Sequence, residues 1–151
     1  MRVLVLNGPN LGTLGRRQPD IYGTTTLAQI RDHLLEQAAG LEVEVRWEQS
    51  NHEGALIDII EAESGHSDAC VINPGALAHT SVALADALRG FAGPVVEVHL
   101  SNILAREEYR RTSHVAAAAT AVITGAGAAG YGLALQAAVQ LAGDRRTETT
   151  T

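Results

Sequence analysis

The residues best suited to chemistry are Glu97 and His99, two positions apart in the apolar run 95–100. Side chains two apart in a strand point to the same face, so the carboxylate and the imidazole are predicted to meet. A carboxylate beside a histidine fixes the ring tautomer and makes the ring more basic, which suits a residue that donates or accepts a proton. The structural alternative is an internal ion pair.

Other polar residues follow the candidate strands at their carboxyl ends. Residues 7–10 (NGPN) follow the first strand, residues 73–75 (NPG) follow the third, and residues 101–102 follow the fourth. In a parallel α/β sheet the ligand lies beyond the carboxyl ends of the strands, where the strand order reverses. We therefore expect a small-molecule site at this edge.

The elements that must position these residues alternate between strand-like and helix-like segments. The predicted strands are residues 2–6, 41–47, 69–72, 94–100 and 119–124, and the longer helices are residues 26–40, 53–65, 80–90 and 131–143. This pattern predicts an α/β, flavodoxin-like, three-layer fold with a five-stranded parallel sheet in the order 2-1-3-4-5. A short helical stretch is expected over residues 104–111.

We expect residues 1–143 to form a single flavodoxin-like domain that carries this candidate site. Residues 144–151 (DRRTETTT) have no apolar face, so they are expected to form a disordered tail.

Composition argues against several function classes. The formal net charge of −6 disfavours nucleic acid and anionic membranes as partners and favours a small molecule. All eleven basic residues are arginines, so Schiff-base chemistry, lysine-anchored pyridoxal phosphate and a P-loop lack their lysine. No apolar run reaches membrane-spanning length and no signal peptide precedes the first strand, so the cytoplasm is expected. Cys70, in an apolar run, is interpreted as buried packing.

Residues 125–130 (GAGAAG) formally match the dinucleotide-binding pattern. That pattern belongs to a first strand–helix unit with an acidic residue about twenty positions later on the next strand, and no such strand follows here. The glycines are interpreted as allowing close strand-to-helix packing.

Five segments, in order and covering nearly the whole chain, resemble the type II 3-dehydroquinate dehydratases. They are residues 6–23, 49–54 (QSNHEG), 73–81 (NPGALAHTS), 97–111 (EVHLSNILAREEYRR) and 125–135, which end in GYGLAL. The resemblance implies a lyase without cofactor or metal. It also implies that 3-dehydroquinate is dehydrated to 3-dehydroshikimate through an enolate, in the shikimate pathway or in quinate catabolism.

The resemblance implies catalytic roles for five residues. Tyr22 matches the base, and Arg17 matches the cation that it needs, because free tyrosine has a pKa of about 10. His99 matches the acid toward the departing hydroxyl, and Glu97 matches its orienting partner. Asn10 matches the residue that holds a water against the developing enolate oxygen.

Substrate-binding residues are implied in the same way. Asn73 and His79 match contacts to the substrate's hydroxyl and carboxylate groups, and Arg110 matches a contact to the ring hydroxyls. The backbone amides of Leu100 and Ser101 match the cradle for the substrate carboxylate.

The resemblance further implies a homo-oligomer, a dodecamer of four trimers, in which Asp86 reaches a neighbour's site. Gln18, Leu77 and Ala78 stand where the family usually has glutamate, tyrosine and threonine, which bears on loop position and affinity. Residues 12–23, rich in glycine and arginine, are expected to form a mobile lid over the site.

Two alternatives stay open at this point. A flavodoxin-like binding module could hold a phosphate or FMN at the same edge, and a colourless protein that turns over 3-dehydroquinate would exclude it. A metal hydrolase could use His79, His99 and Glu97, and full activity in chelator would exclude that.

Overall fold

The computed structural model describes residues 1–149, whose five strands form one sheet. The strands are β1 (Arg2–Asn7), β2 (Glu44–Gln49), β3 (Ala69–Asn73), β4 (Val95–His99) and β5 (Ala121–Thr124). All pairings are parallel, and the order is 2-1-3-4-5. The predicted flavodoxin-like sheet is confirmed.

The helices cover both faces of this sheet. They are α1 (Pro19–Tyr22), α2 (Leu27–Gly40), α3 (Glu53–Glu63), α4 (Val82–Arg89) and α5 (Ala129–Thr149). One apolar core lies between the sheet and helices α2 and α5, and a second lies between the sheet and helices α3 and α4. The three predicted layers are therefore present.

Strand β1 is covered on both faces. Val3 and Val5 belong to the core under α2 and α5, whereas Leu4 and Leu6 belong to the core under α3 and α4. A strand buried on both faces needs a continuous apolar sequence, which is what the chain provides here. Cys70 also lies fully buried in the second core, where burial raises the pKa of its thiol.

Helix α2 begins and ends close to its predicted limits. Thr26 and Gln29 form a capping box, in which the Thr26 hydroxyl accepts from the Gln29 amide at 3.2 Å and the Gln29 side chain accepts from the Thr26 amide at 2.9 Å. Strand β2 begins at Glu44, later than predicted, because Glu42 adopts a left-handed conformation (φ 55°) and the Val43 amide still bonds to the Ala38 carbonyl.

In the stretch predicted to be a disordered tail, residues 144–151, the structure describes helix as far as Thr149, because α5 continues through residues 144–149. Arg146 pairs with Asp68, and Arg145 donates to the carbonyl of Ala92 at 3.3 Å. These polar contacts anchor a segment that has no apolar face. Residues 150 and 151 lie outside the described residues.

Asp68, in the loop before β3, binds both ends of the described chain. Its carboxylate accepts from the Arg2 amide at 2.8 Å and from the Arg146 guanidinium. Burial alone would raise the pKa of Asp68, but these two donors outweigh burial and lower it.

Among residues 1–149, no helix is long and apolar enough to cross a membrane.

A buried carboxylate, Glu63, joins the end of α3 to strands β1 and β2. It contacts the Arg46 guanidinium, the Arg2 guanidinium at 3.5 Å and the Ser67 hydroxyl at 2.6 Å. Burial alone would raise the pKa of Glu63, but the hydrogen bonds from Ser67 and Arg46, with the charges of both arginines, lower it. The ionised carboxylate therefore stabilises the amino-terminal edge of the sheet.

We expect Glu63→Gln to lower the free energy of unfolding by about 1–3 kcal/mol at pH 7, because Arg2 and Arg46 each lose one of their charge partners. The folded-state pKa is lowered, so this contribution is present above the unfolded carboxyl pKa of about 4.3 and is lost as the pH falls through the folded value. Urea unfolding at pH 7 and pH 3 measures it. The difference from wild type should shrink at pH 3, and a constant difference would contradict the assignment. Glu61→Gln, an exposed change on the same helix, is the control.

Candidate active site

A pocket opens beyond the carboxyl edge of the sheet. All of the predicted site residues except Glu97 and Asp86 line it. Its polar lining is Asn10, Arg17, Tyr22, Asn73, His79, His99, Ser101, Arg106 and Arg110, and Leu100 lies among its apolar residues.

The loops after β1 and β3 are packed directly against each other at the floor of this pocket. The Gly8 amide donates to the Asn73 carbonyl at 2.8 Å. A Cβ atom on Gly8 would lie only 2.4 Å from the Pro74 carbonyl oxygen. This close approach requires glycine, and it fixes the position of Asn10 relative to Asn73.

Asn10 is held in a conformation that few residues accept. Its backbone is left-handed (φ 68°), which asparagine tolerates better than most residues, and its amide donates to the Asn51 side chain at 3.0 Å. Gln49 donates to the same Asn51 oxygen at 3.1 Å. The segment 49–54, found by resemblance, thus supports the loop that carries Asn10.

Glu97 and His99 meet as the strand spacing predicts. His99 Nε2 lies 2.6 Å from Glu97 Oε1, and both side chains are buried. The Ser113 hydroxyl donates to the same Glu97 oxygen at 2.7 Å. Because an ionised carboxylate only accepts, Nε2 carries a proton, and Nδ1 is the nitrogen that can exchange a proton with a ligand.

His79 lies beside His99, with their rings stacked at 6.3 Å and an interplanar angle of 17°. His79 Nδ1 lies 2.8 Å from the Thr112 carbonyl, which can only accept, so Nδ1 carries the proton and Nε2 remains for a ligand. Thr112 therefore orients His79 directly, and Ser113 supports His99 through Glu97. The sequence did not single out Ser113, because an isolated serine in a loop carries no pattern.

Tyr22 contacts two arginines, and the closer contact was not predicted. Arg106 Nη1 donates to the Tyr22 hydroxyl at 2.8 Å, and its guanidinium carbon lies 5.3 Å from the ring centroid. The guanidinium carbon of Arg17, the predicted partner, lies 5.7 Å from the same centroid. Burial alone would lower the pKa of Arg106, but the hydrogen bond to Tyr22 and the charges nearby raise it, so Arg106 is a permanent cation.

The segment after β4 does not form the single helix that was predicted over residues 104–111. It forms two 3-10 turns, Ile103–Ala105 and Glu108–Arg110, because Arg106 and Glu107 between them are extended. Glu107 pairs with both Arg106, at 3.3 Å, and Arg110, at 3.2 Å. This arrangement directs both arginines into the pocket.

The pocket is cationic although the chain carries a net charge of −6. Three arginines line it, and no aspartate or glutamate of residues 1–147 does. Such a site favours an anionic ligand. In residues 1–149, no group of three or more His, Cys, Asp or Glu side chains could hold a metal ion.

Asp86 is not brought to the pocket of its own chain. It pairs with Arg89 at 2.6 Å and lines a separate groove between α3 and α4. Its predicted contact with a neighbour's site stays a prediction.

A flavodoxin-like sheet with a cationic pocket at its carboxyl edge, containing a tyrosine–arginine pair and a histidine–glutamate pair, is typical of a small-molecule enzyme of the α/β class. The family model described as "Dehydroquinase class II" matches residues 1–139. The chain therefore belongs to the class II dehydroquinase family.

Individual relatives agree with this assignment. A 3-dehydroquinate dehydratase of Vibrio parahaemolyticus is 55% identical over 138 residues, covering 91% of this chain and 93% of the relative. A catabolic 3-dehydroquinase of Verticillium alfalfae is 52% identical over 139 residues, covering 92% and 93%. The crystal structure of the type II dehydroquinase from Butyrivibrio crossotus has a TM-score of 0.90 and 40% identity, covering 92% of this chain and 97% of that one.

We expect Gly8→Ala to lower the free energy of unfolding by about 1–3 kcal/mol, because its Cβ would overlap the backbone of Pro74. Urea unfolding measures the effect. Gly54→Ala is the matched control, since no atom lies within 4 Å of a Cβ there and Gly54 lies in α3. The control should keep or slightly raise the stability, and equal stability of the two variants would show that the loops can separate without cost.

Proposed function

We propose that this chain catalyses the dehydration of 3-dehydroquinate to 3-dehydroshikimate through an enolate intermediate. The observation that carries the proposal is that Tyr22, hydrogen-bonded to Arg106, and His99, hydrogen-bonded to the buried Glu97, line one cationic pocket. The reaction needs a base and an acid, and the substrate is a carboxylate. Family membership supports the same reaction.

Tyr22 acts as the base in this proposal. Arg106 donates to the phenol oxygen at 2.8 Å, and the guanidinium carbon of Arg17 lies 5.7 Å from the ring centroid, so two positive charges lie beside the proposed base. The phenolate takes the proton next to the ketone, and the electron pair of the broken C–H bond forms the enolate. Asn10, at the pocket wall, is proposed to hold a water against the enolate oxygen.

His99 acts as the acid. When the enolate collapses, the C–O bond to the β-hydroxyl breaks, and His99 Nδ1 supplies the proton with which the hydroxyl leaves as water. Glu97 keeps the ring oriented and stabilises the imidazolium before the transfer. The proton gained by Tyr22 must then leave the site and His99 must be reprotonated, so no external reagent is consumed.

The remaining lining residues are proposed to bind the substrate. The backbone amides of Leu100 and Ser101 follow β4 directly, and we assign them to the carboxylate. Asn73 and His79 are assigned to hydroxyl and carboxylate contacts, and Arg110 is assigned to the ring hydroxyls. Each of them lines the same pocket, which supports a single bound ring.

We also propose a cytoplasmic dodecamer of four trimers, in which Asp86 of one chain reaches a neighbour's site. The side chain of Asp86 is 66% exposed. Leu104 and Tyr109, in the segment that builds the pocket, are large, apolar and more than half exposed, a surface that a neighbour would cover. The mass in solution, measured by light scattering, tests this assembly.

An ultraviolet assay for the conjugated enone product tests the proposed reaction. Purified protein should form the product from 3-dehydroquinate without added cofactor and with undiminished rate in chelator. Absence of product from folded protein would overturn the proposal. A coloured protein with bound flavin and no turnover would favour the binding-module alternative instead.

We expect His99→Ala to lower kcat by at least roughly a hundredfold, because the departing hydroxyl loses its proton donor. Circular dichroism should show a folded protein. His33→Ala, on the exposed face of α2, should keep wild-type turnover. Near-normal kcat in the His99 variant would assign the acid to another group.

We expect Arg106→Met to lower kcat more than Arg17→Met, because only Arg106 bonds to the phenol oxygen. The loss for Arg106→Met should be at least roughly a hundredfold, with a smaller effect on product binding measured by calorimetry. Arg31→Met, a change at an exposed arginine paired with Asp32, is the control. A larger loss for Arg17→Met would return the main role to Arg17, as first predicted.

A further inference from the structure

A buried chain of hydrogen bonds runs beneath the pocket and joins β1, β3 and α5. The Tyr131 hydroxyl donates to Asn7 Oδ1 at 2.6 Å and lies 3.1 Å from Asn73 Nδ2. Asn7 Nδ2 donates to the Glu48 carbonyl at 2.9 Å, and Asn73 Oδ1 accepts from the Gly75 amide at 3.2 Å. Asn7, Asn73 and Tyr131 are at most 2% exposed.

The direction of every bond in this chain is fixed by a backbone group at each end. The Glu48 carbonyl can only accept, so the amide nitrogen of Asn7 faces it and the Asn7 oxygen faces Tyr131. The Gly75 amide can only donate, so the oxygen of Asn73 faces it and the nitrogen of Asn73 faces Tyr131. The Tyr131 hydroxyl must therefore donate to Asn7 and accept from Asn73. A single hydroxyl can do both, with its proton directed toward Asn7.

Asn73 is the member of this chain that lines the pocket. An asparagine side chain has two N–H donors and two acceptor lone pairs, and the chain uses one of each. One donor and one acceptor remain for a ligand. Their orientation depends on Tyr131, because only Gly75 and Tyr131 hold the amide of Asn73 in place.

The Tyr131 hydroxyl is a stable donor and acceptor at neutral pH. Burial raises the pKa of its phenol, and the hydrogen bond from Asn73 opposes that only in part, so the hydroxyl keeps its proton. Its ring packs on Trp47, with centroids 5.8 Å apart, which limits rotation.

We propose that Tyr131 is a positioning residue that orients the Asn73 amide toward a substrate hydroxyl. The proposal deepens the proposed function and rests on it, because it assumes that Asn73 contacts the substrate. In that assignment, the substrate hydroxyl that Asn73 contacts is distant from the bonds that break in the reaction. Loss of the orientation should therefore weaken substrate binding more than it slows the chemical step.

The first experiment compares Tyr131→Phe with wild type. We expect KM to rise by about five- to tenfold and kcat to stay within about twofold. The fluorescence of Trp47, the only tryptophan, should be unchanged if the phenyl ring still packs on it. Ser67→Ala is the matched control, since it also removes a buried hydroxyl that donates to a side chain, at 2.6 Å to Glu63, but at the opposite edge of the sheet. The control should lose stability without a change in KM.

A double-mutant cycle with Asn73→Ala tests whether Tyr131 affects KM through Asn73 or independently of it. If Tyr131 acts through Asn73, Tyr131→Phe should have no further effect on KM in the Asn73→Ala background. Additive effects, or an unchanged KM in folded Tyr131→Phe, would overturn the proposal while the dehydratase activity stands. An unchanged KM in Asn73→Ala would overturn it by removing the substrate contact. Failure of the wild-type protein to turn over 3-dehydroquinate would instead overturn the proposed function.

Discussion

The pairing of β1 with β3 is the contact on which the site depends. The register places Asn7 opposite Asn73, and β2 lies on the other side of β1, so the chain reverses its direction of winding at this pair. The loops that leave the two strands therefore diverge around one opening. The backbone of Gly8 fills the space between them, and the buried hydroxyl of Tyr131 spans their asparagines from below.

Opposite charges are segregated within this small protein. Its acidic residues outnumber its basic ones by 17 to 11, yet three arginines line the pocket and, in the part of the chain whose side chains are described, no carboxylate does. Glu107 neutralises part of that charge from behind, and Glu97 is screened from the opening by His99. The net negative charge of the molecule repels an anion at a distance, whereas the three arginines attract it at the pocket.

The sequence predicted the features that follow from periodicity and failed where periodicity is absent. Continuous apolar runs identified the strands, and a spacing of two identified the contact between Glu97 and His99. Arg106 was missed because it lies between two 3-10 turns, where the direction of a side chain depends on backbone angles that neighbouring residues do not reveal. The sequence did not predict that α5 continues beyond residue 143, because the residue that binds its last turns through Arg146, Asp68, is distant in sequence. The resemblance identified the candidate site residues. The structure then showed that Arg106 bonds to the Tyr22 hydroxyl, whereas Arg17 contacts the ring.

Asp68 has a topological consequence. Because the amide of Arg2 and the guanidinium of Arg146 bind the same carboxylate, the start of β1 and the last part of α5 meet at the edge of the sheet opposite the pocket. Joining the ends with a short linker would close the chain into a ring without crossing the sheet, and new ends could be opened in an exposed loop elsewhere. A ring has fewer unfolded conformations to lose on folding. The fold thus offers a route to a circularly permuted or cyclic enzyme in which the catalytic edge is left untouched.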